Sequence, residues 1–140
     1  MTATPITGTP ITGTPGTGTP TTEQILRGVL DRWKAGIDAH EPGSVAALFT
    51  ENAIFQGFHP YVVGPEGVAE YYDSQPLGMT VAYEVLRTRR LADGLVLGFQ
   101  RADFDFADRP RITVYLTLLL KQTADGWRID HYQVSRLPGE

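Results

Sequence analysis

The sequence predicts an α+β domain in which three N-terminal helices pack into the hollow of a strongly curved antiparallel sheet. Three observations carry this. Apolar residues recur at helical spacing at Ile25, Leu26, Val29, Leu30, Trp33 and Ile37. Four apolar runs then follow, over 80–91, 95–106, 111–122 and 127–135, each divided from the next by a turn sequence. These runs, of about 12 residues, exceed the usual strand length, so the sheet must twist and curve. Helices first and strands afterwards is the order of an α+β chain, with the helices filling the hollow of the sheet.

Each element has a local reason. Thr21 or Thr22 can cap the first helix, and Gln24 stands three residues after Thr21 as in a capping box. Pro42-Gly43 ends that helix, and Ser44 opens a short one carrying Val45, Leu48 and Phe49. Ala53 to Gly57 reads as a first strand. Gly64-Pro65-Glu66 opens the third helix with proline in its first turn, and Pro76 and Gly78 stop it. Ala92-Asp93-Gly94, Ala107 to Pro110, and Thr123 to Gly126 supply the three turns of a meander.

Residues 1–21 read as a separate tail, and 22–140 as the domain. The unit Thr-Pro-Ile-Thr-Gly is written twice, from Thr4 to Gly8 and from Thr9 to Gly13, and then decays. Proline and threonine favour extended backbone, and nothing in the repeat is charged. Two readings stand: a disordered tail, or an arm anchored by Ile6 and Ile11 on the body or on a second subunit.

Composition excludes several classes. The 140 residues contain no cysteine, so disulfides, thiolate metal sites and cysteine nucleophiles are absent. The three histidines lack metal-ligand spacing, so no metal site is expected. The only Gly-x-Gly, Gly16-Thr17-Gly18, lies in the tail rather than between strand and helix, and there is no phosphate-binding loop. No cofactor is therefore expected. Net charge is −4 and the basic residues are scattered, which argues against nucleic acid. No apolar run approaches the roughly 20 residues of a membrane span, and no secretory signal is visible; a cytoplasmic protein is the expectation.

With tight hairpins assumed, the strands can be laid side by side. Leu120 then pairs with Ile129, Leu118 with His131 and Leu116 with Gln133. Leu97, Phe99 and Arg101 fall beside Leu120, Leu118 and Leu116. Asp103 and Tyr83 lie at the same end. One face collects a dry floor of Leu97, Phe99, Leu116, Leu118 and Leu120 with His131, Gln133, Arg101, Asp103 and Tyr83 at its polar end, the usual build of a small-molecule pocket. Trp33 and Phe55 are core or pocket wall, and His59 stands near the mouth. The opposite face, with Val96, Gln100, Ala102, Phe104, Thr113, Tyr115, Thr117 and Leu119, is apolar enough to predict a homodimer through it. A slip of one residue moves a whole strand to the other face.

The element order also carries a resemblance. A helix with a central tryptophan precedes Val45-Ala46-Ala47-Leu48-Phe49-Thr50-Glu51-Asn52-Ala53, then a strand, then Gly64-Pro65-Glu66-Gly67-Val68, then four long strands closing on Asp125-Gly126-Trp127-Arg128-Ile129. This resembles the nuclear transport factor 2-like, or SnoaL-like, superfamily over residues 22–136. The closing Gly-Trp-Arg-Ile through Ser135 is most similar to the SgcJ/EcaC subgroup of enediyne antibiotic biosynthesis clusters. The resemblance implies a cone-shaped cystatin-like roll, a conical cavity under the sheet and a dimer through its outer face. It implies little about reaction, because the superfamily holds isomerases, cyclases, dehydratases, hydrolases and members with no known catalysis.

Three functions follow as expectations. The first is a binding protein for a hydrophobic, polyketide- or polyene-like molecule in secondary-metabolite biosynthesis, assisting cyclisation or isomerisation. The second is an acid–base isomerase or cyclase using His131, whose ordinary pKa lies near working pH, or Asp103. The third is a non-catalytic dimeric association module. An open cone favours the first two; a cone packed with side chains favours the third.

Overall fold

A computed structural model describes residues 19–136. The Thr/Pro/Gly repeat, with Ile6 and Ile11, lies outside the described residues. Helix α1 spans Thr22–Asp38, α2 Pro42–Ala46 and α3 Pro65–Asp73; the strands are β1 (Phe49–Gln56), β2 (Val62–Val63), β3 (Thr80–Ala92), β4 (Leu95–Asp105), β5 (Ile112–Thr123) and β6 (Gly126–Arg136). The predicted α+β class holds, as a cystatin-like fold with a strongly curved, unclosed sheet. The sheet has six strands in the order β2-β1-β6-β5-β4-β3. All neighbours are antiparallel except β1 and β6, which run parallel; β1 reaches β6 across the rest of the chain, not through a hairpin. The first strand begins at Phe49, four residues earlier than expected, because the short helix ends at Ala46.

Local chemistry accounts for α1. Its N-cap Thr21 hydroxyl accepts from the Gln24 N–H at 3.1 Å, and the Gln24 carboxamide accepts from the Thr21 N–H at 2.8 Å, closing the capping box. Ile25, Leu26, Val29, Leu30, Trp33 and Ile37 are all buried against the sheet. Each such side chain contributes about 1.5–3 kcal/mol by leaving water. The far end of α1 guards the sheet's long edge. Asp38 accepts from the Val81 N–H at 3.0 Å, and the Lys34 ammonium donates to the Val81 carbonyl at 2.7 Å. The Lys34–Asp38 ion pair thus satisfies both backbone groups of Val81, which an edge strand would leave unpaired.

The register differs from expectation in four places, one of them at the β3–β4 turn, where Ala92 rather than Leu91 stands opposite Leu95. Phe104 pairs with Ile112, and Leu97 with Leu119 rather than Leu120. The β4–β5 connection is one step longer than a tight turn, and Arg111 closes it with two hydrogen bonds to Asp105 at 2.7 and 3.1 Å. Asp130 is an extra residue in β6: Ile129 stands opposite Leu120, but His131 stands opposite Leu119. A β-bulge of this kind reverses the side-chain alternation beyond it. The Thr50 hydroxyl holds it by donating to the Asp130 carboxylate at 2.7 Å. A further irregularity, at Leu86, shifts β3 against β4 between Val85 and Arg87.

The inner face therefore carries Val96, Gly98, Gln100, Ala102 and Phe104 from β4, Val114, Leu116, Leu118 and Leu120 from β5, and Ile129, Tyr132 and Val134 from β6, all buried. Among the described residues no helix is long and apolar enough to cross a membrane.

Candidate functional site

The hollow of the sheet is the first place to look, and side chains fill it. Trp33 of α1 stands edge-on to Phe104 at 6.0 Å between ring centroids and leans on Tyr132 at 6.2 Å. Tyr132 stacks on Phe55 at 4.4 Å, and Phe55 meets Tyr72 at 5.6 Å and Tyr71 at 4.8 Å. Such pairs contribute about 0.5–1.5 kcal/mol beyond the area they bury. Phe58 covers the mouth. Its ring lies 6.2 Å from Phe104, the Arg136 guanidinium sits 5.6 Å above it, and its N–H donates to the Tyr71 hydroxyl at 3.1 Å. The neighbouring Gly57 makes this closure possible, since a Cβ there would stand 2.6 Å from the Tyr71 ring.

Polar atoms are sealed in with these rings. The Trp33 indole N–H donates to the Tyr72 hydroxyl at 3.1 Å, and the Tyr72 hydroxyl donates to that of Tyr132 at 3.3 Å. The chain has three donor hydrogens and two hydrogen bonds. One phenolic hydrogen is left without an acceptor among the described residues. Burial pushes the pKa of both tyrosines well up, so both phenols stay protonated donors. Gln100 is a second case. It is 0% exposed, and neither its amide nitrogen nor its oxygen has a partner among the described residues. Each buried polar atom left unpaired costs about 1–3 kcal/mol.

The expected pocket residues separate into two groups. Trp33, Phe55, Leu116 and Leu118 are inside and buried. Tyr83 also turns inward, at the rim, and donates to Asp31 of α1; burial, then the nearby carboxylate, pushes its phenol up to about 12. His131, Gln133, Arg101, Asp103 and Phe99 are outside, contrary to expectation. The longer β4–β5 connection moves the β4 residues, and the bulge at Asp130 moves the β6 residues. Asp103 accepts from the Thr113 hydroxyl at 2.6 Å and lies 3.4 Å from the Arg101 guanidinium. It forms a surface pair of the sort that contributes about 0–1 kcal/mol. His59 is exposed in the β1–β2 loop with its ring 5.3 Å from that of Tyr71. An acid–base reaction inside the cone thus has neither His131 nor Asp103 to use.

Tyr72, Tyr132 and Gln100 are the interior polar residues the sequence reading missed. For Tyr132 a signal existed. Apolar residues at 129, 132 and 134 are spaced as in a strand with one inserted residue, and Asp130 is the insertion. For Gln100 there was none, because β4 is apolar at both parities.

The outer face is the second place to look. Leu97, Phe99, Thr117 and Leu119 form its half-buried centre, and the Phe99 and Tyr115 rings lie 5.3 Å apart. Around them Tyr115 is 39% exposed, Leu86 40%, Ile54 42% and Val63 53%. Val96, Gln100, Ala102 and Phe104, expected here, are inside. Near one end of the sheet, where β1 splays from β6, an open groove of about 510 Å³ is lined by charges of both signs, including Glu51, Asp130, Lys121 and Arg128. Among the described residues no cluster of histidine and acidic side chains is placed to hold a metal ion.

No protein-family model matches this sequence, and no curated protein matches it either. Solved structures do resemble it in shape. A cystatin-like fold protein from Nostoc punctiforme superimposes with a TM-score of 0.75 at 18% identity, covering 86% of this chain and 80% of that one. A protein from Xanthomonas campestris, named for the calcium/calmodulin dependent protein kinase II association domain, gives 0.73 at 15% identity, with 82% and 87% covered. A ketosteroid isomerase-like protein from Erwinia carotovora atroseptica gives 0.70 at 18% identity, with 81% and 94% covered. At these identities the likeness is one of fold: a nuclear transport factor 2-like, cystatin-like architecture.

Proposed function

We propose that this protein is a self-associating module that forms a homodimer through the outer face of its sheet. The observation that carries the reading is that face itself. Leu97, Phe99, Tyr115 and Leu119 make an apolar centre, extended by the exposed Ile54, Val63 and Leu86. Monomeric proteins seldom leave such a patch uncovered. The packed cone supports the same reading, since aromatic side chains occupy the space a ligand would need. Fold neighbours named as association domains add support by analogy alone. Sedimentation equilibrium tests it: the wild type sediments as a dimer, and Phe99→Glu with Leu119→Asp as a folded monomer. A wild type that stays monomeric throughout the accessible concentration range would end the proposal.

A second reading is favoured by one observation, the unpartnered polar atoms inside the cone. In it the protein binds an apolar small molecule of a biosynthetic pathway, of the enediyne or polyketide type suggested by the closing strand. Ligand-observed NMR with such compounds tests it, and no binding by any of them counts against it.

A further inference from the structure

Gln100 breaks the rule that a closed core satisfies its polar groups. Nothing in the neighbouring strands requires an amide there: its β5 partner is Leu116 and its β3 partner is Val85. Leucine or methionine would fill the same volume without leaving two polar atoms unpaired. A residue that makes the free fold less stable is the kind of local inconsistency that marks a working site.

The space beside the amide is defined by Gly98, two residues earlier on the same face of β4. A Cβ at Gly98 would stand 2.5 and 2.7 Å from the two terminal methyls of Leu26 and 3.1 Å from the Gln100 Oε1. Those methyls fill the space that a side chain at Gly98 would take, and the unpartnered oxygen borders it. Leu26 is the plug. It projects from the second turn of α1 and is fully buried against β4.

We infer that the cone has a latent binding site in which Leu26 withdraws and Gln100 pairs with a small guest having an apolar body and a polar edge of one donor beside one acceptor: a primary amide, a lactam or a carboxylic acid in its neutral form. This rests on the second reading above and names its ligand class. The carboxamide offers an N–H and a C=O side by side, so a complementary edge satisfies both at once. The vacated leucine volume takes part of the guest's apolar body, against Leu116 and Leu118. The spare phenolic hydrogen of the Tyr72–Tyr132 pair is a further donor on the same side of the sheet.

The test uses the whole chain and three probes: benzamide, benzoic acid in a buffer acid enough to keep it neutral, and toluene. Leu26→Ala removes the plug, and Leu26→Val removes part of it should the alanine variant fold poorly. The unplugged protein binds benzamide or benzoic acid about tenfold more tightly than toluene, and adding Gln100→Leu abolishes that preference. In the otherwise wild-type chain, Gln100→Leu raises the melting temperature, because two orphaned polar atoms disappear. If benzamide, benzoic acid and toluene bind equally, Gln100 is no anchor, and the inference fails while the cone remains a binder of apolar molecules. If none of the three binds, the inference and the small-molecule reading fail together. If Gln100→Leu lowers the melting temperature, the amide already has a partner such as a buried water, and the inference is overturned.

Discussion

The two faces of one sheet have opposite characters. The inner face is over-determined: Trp33, Phe55, Tyr72, Phe104 and Tyr132 interlock, and even the mouth is covered by Phe58. The outer face also carries many apolar residues, and none of the described elements packs over it. In the inner face a change of one methyl is felt at once, because close-packed side chains cannot relax freely. In the outer face the central side chains are only half-buried in the monomer. Their apolar character needs another explanation, and association supplies it. Inside, what is unusual is polar; outside, what is unusual is apolar.

Substitutions can pull this contrast apart. The largest effect belongs to Trp33→Ala, which empties the centre of the cone and removes the donor to Tyr72; a loss of about 3–5 kcal/mol is expected in urea unfolding. Next come the tyrosines. Tyr72→Phe leaves both the Trp33 N–H and the Tyr132 hydroxyl without partners, whereas Tyr132→Phe leaves one unpaired hydrogen, as in the wild type. Tyr72→Phe is therefore the more damaging, by about 1–3 kcal/mol, and equal losses would show the hydroxyl chain to be misread. Gly98→Ala drives a methyl into Leu26 and costs about 1–3 kcal/mol by overpacking. The smallest effect is outside: Phe99→Glu with Leu119→Asp leaves monomer unfolding within about 1 kcal/mol of wild type.

Alkaline titration sharpens the same contrast. Tyr83 ionises near 10 when unfolded and only at about 12 when folded, and burial holds Tyr72 and Tyr132 higher still. A phenol that keeps its proton more tightly in the fold stabilises it below pH 10 and withdraws that stability as pH rises through its folded pKa. Stability is thus expected to fall from about pH 10 upward. Replacing Tyr83 with Phe flattens the fall between 10 and 12.

Much of the fold was legible in the chain. The stripe from Ile25 to Ile37, the capping box at Thr21 and the turns around Gly94 and Gly126 act locally, through spacing and backbone preference. Which face a strand presents is a different kind of information. It depends on the length of the β4–β5 connection, fixed by the Arg111–Asp105 pair, and on a single inserted residue, Asp130, held by Thr50 from another strand. A step of one residue in each sent His131, Gln133, Arg101, Asp103 and Phe99 outward, and brought Gln100, Phe104 and Tyr132 in. Alternating patterns tolerate such a slip wherever both parities are apolar, as in Leu95-Val96-Leu97 and Leu118-Leu119-Leu120. The site was less legible than the fold because it depends on parity.

Hydroxyl-radical footprinting across a dilution series tests the central claim most directly. Tyr115 and Phe99 report the outer face, and Tyr61, 63% exposed in a loop, is the internal standard. The account predicts that Tyr115 and Phe99 are protected at high concentration and become reactive on dilution, while Tyr61 does not change. Reactivity of Tyr115 and Phe99 that is high and constant at every concentration would contradict it, because the outer face would then be free surface.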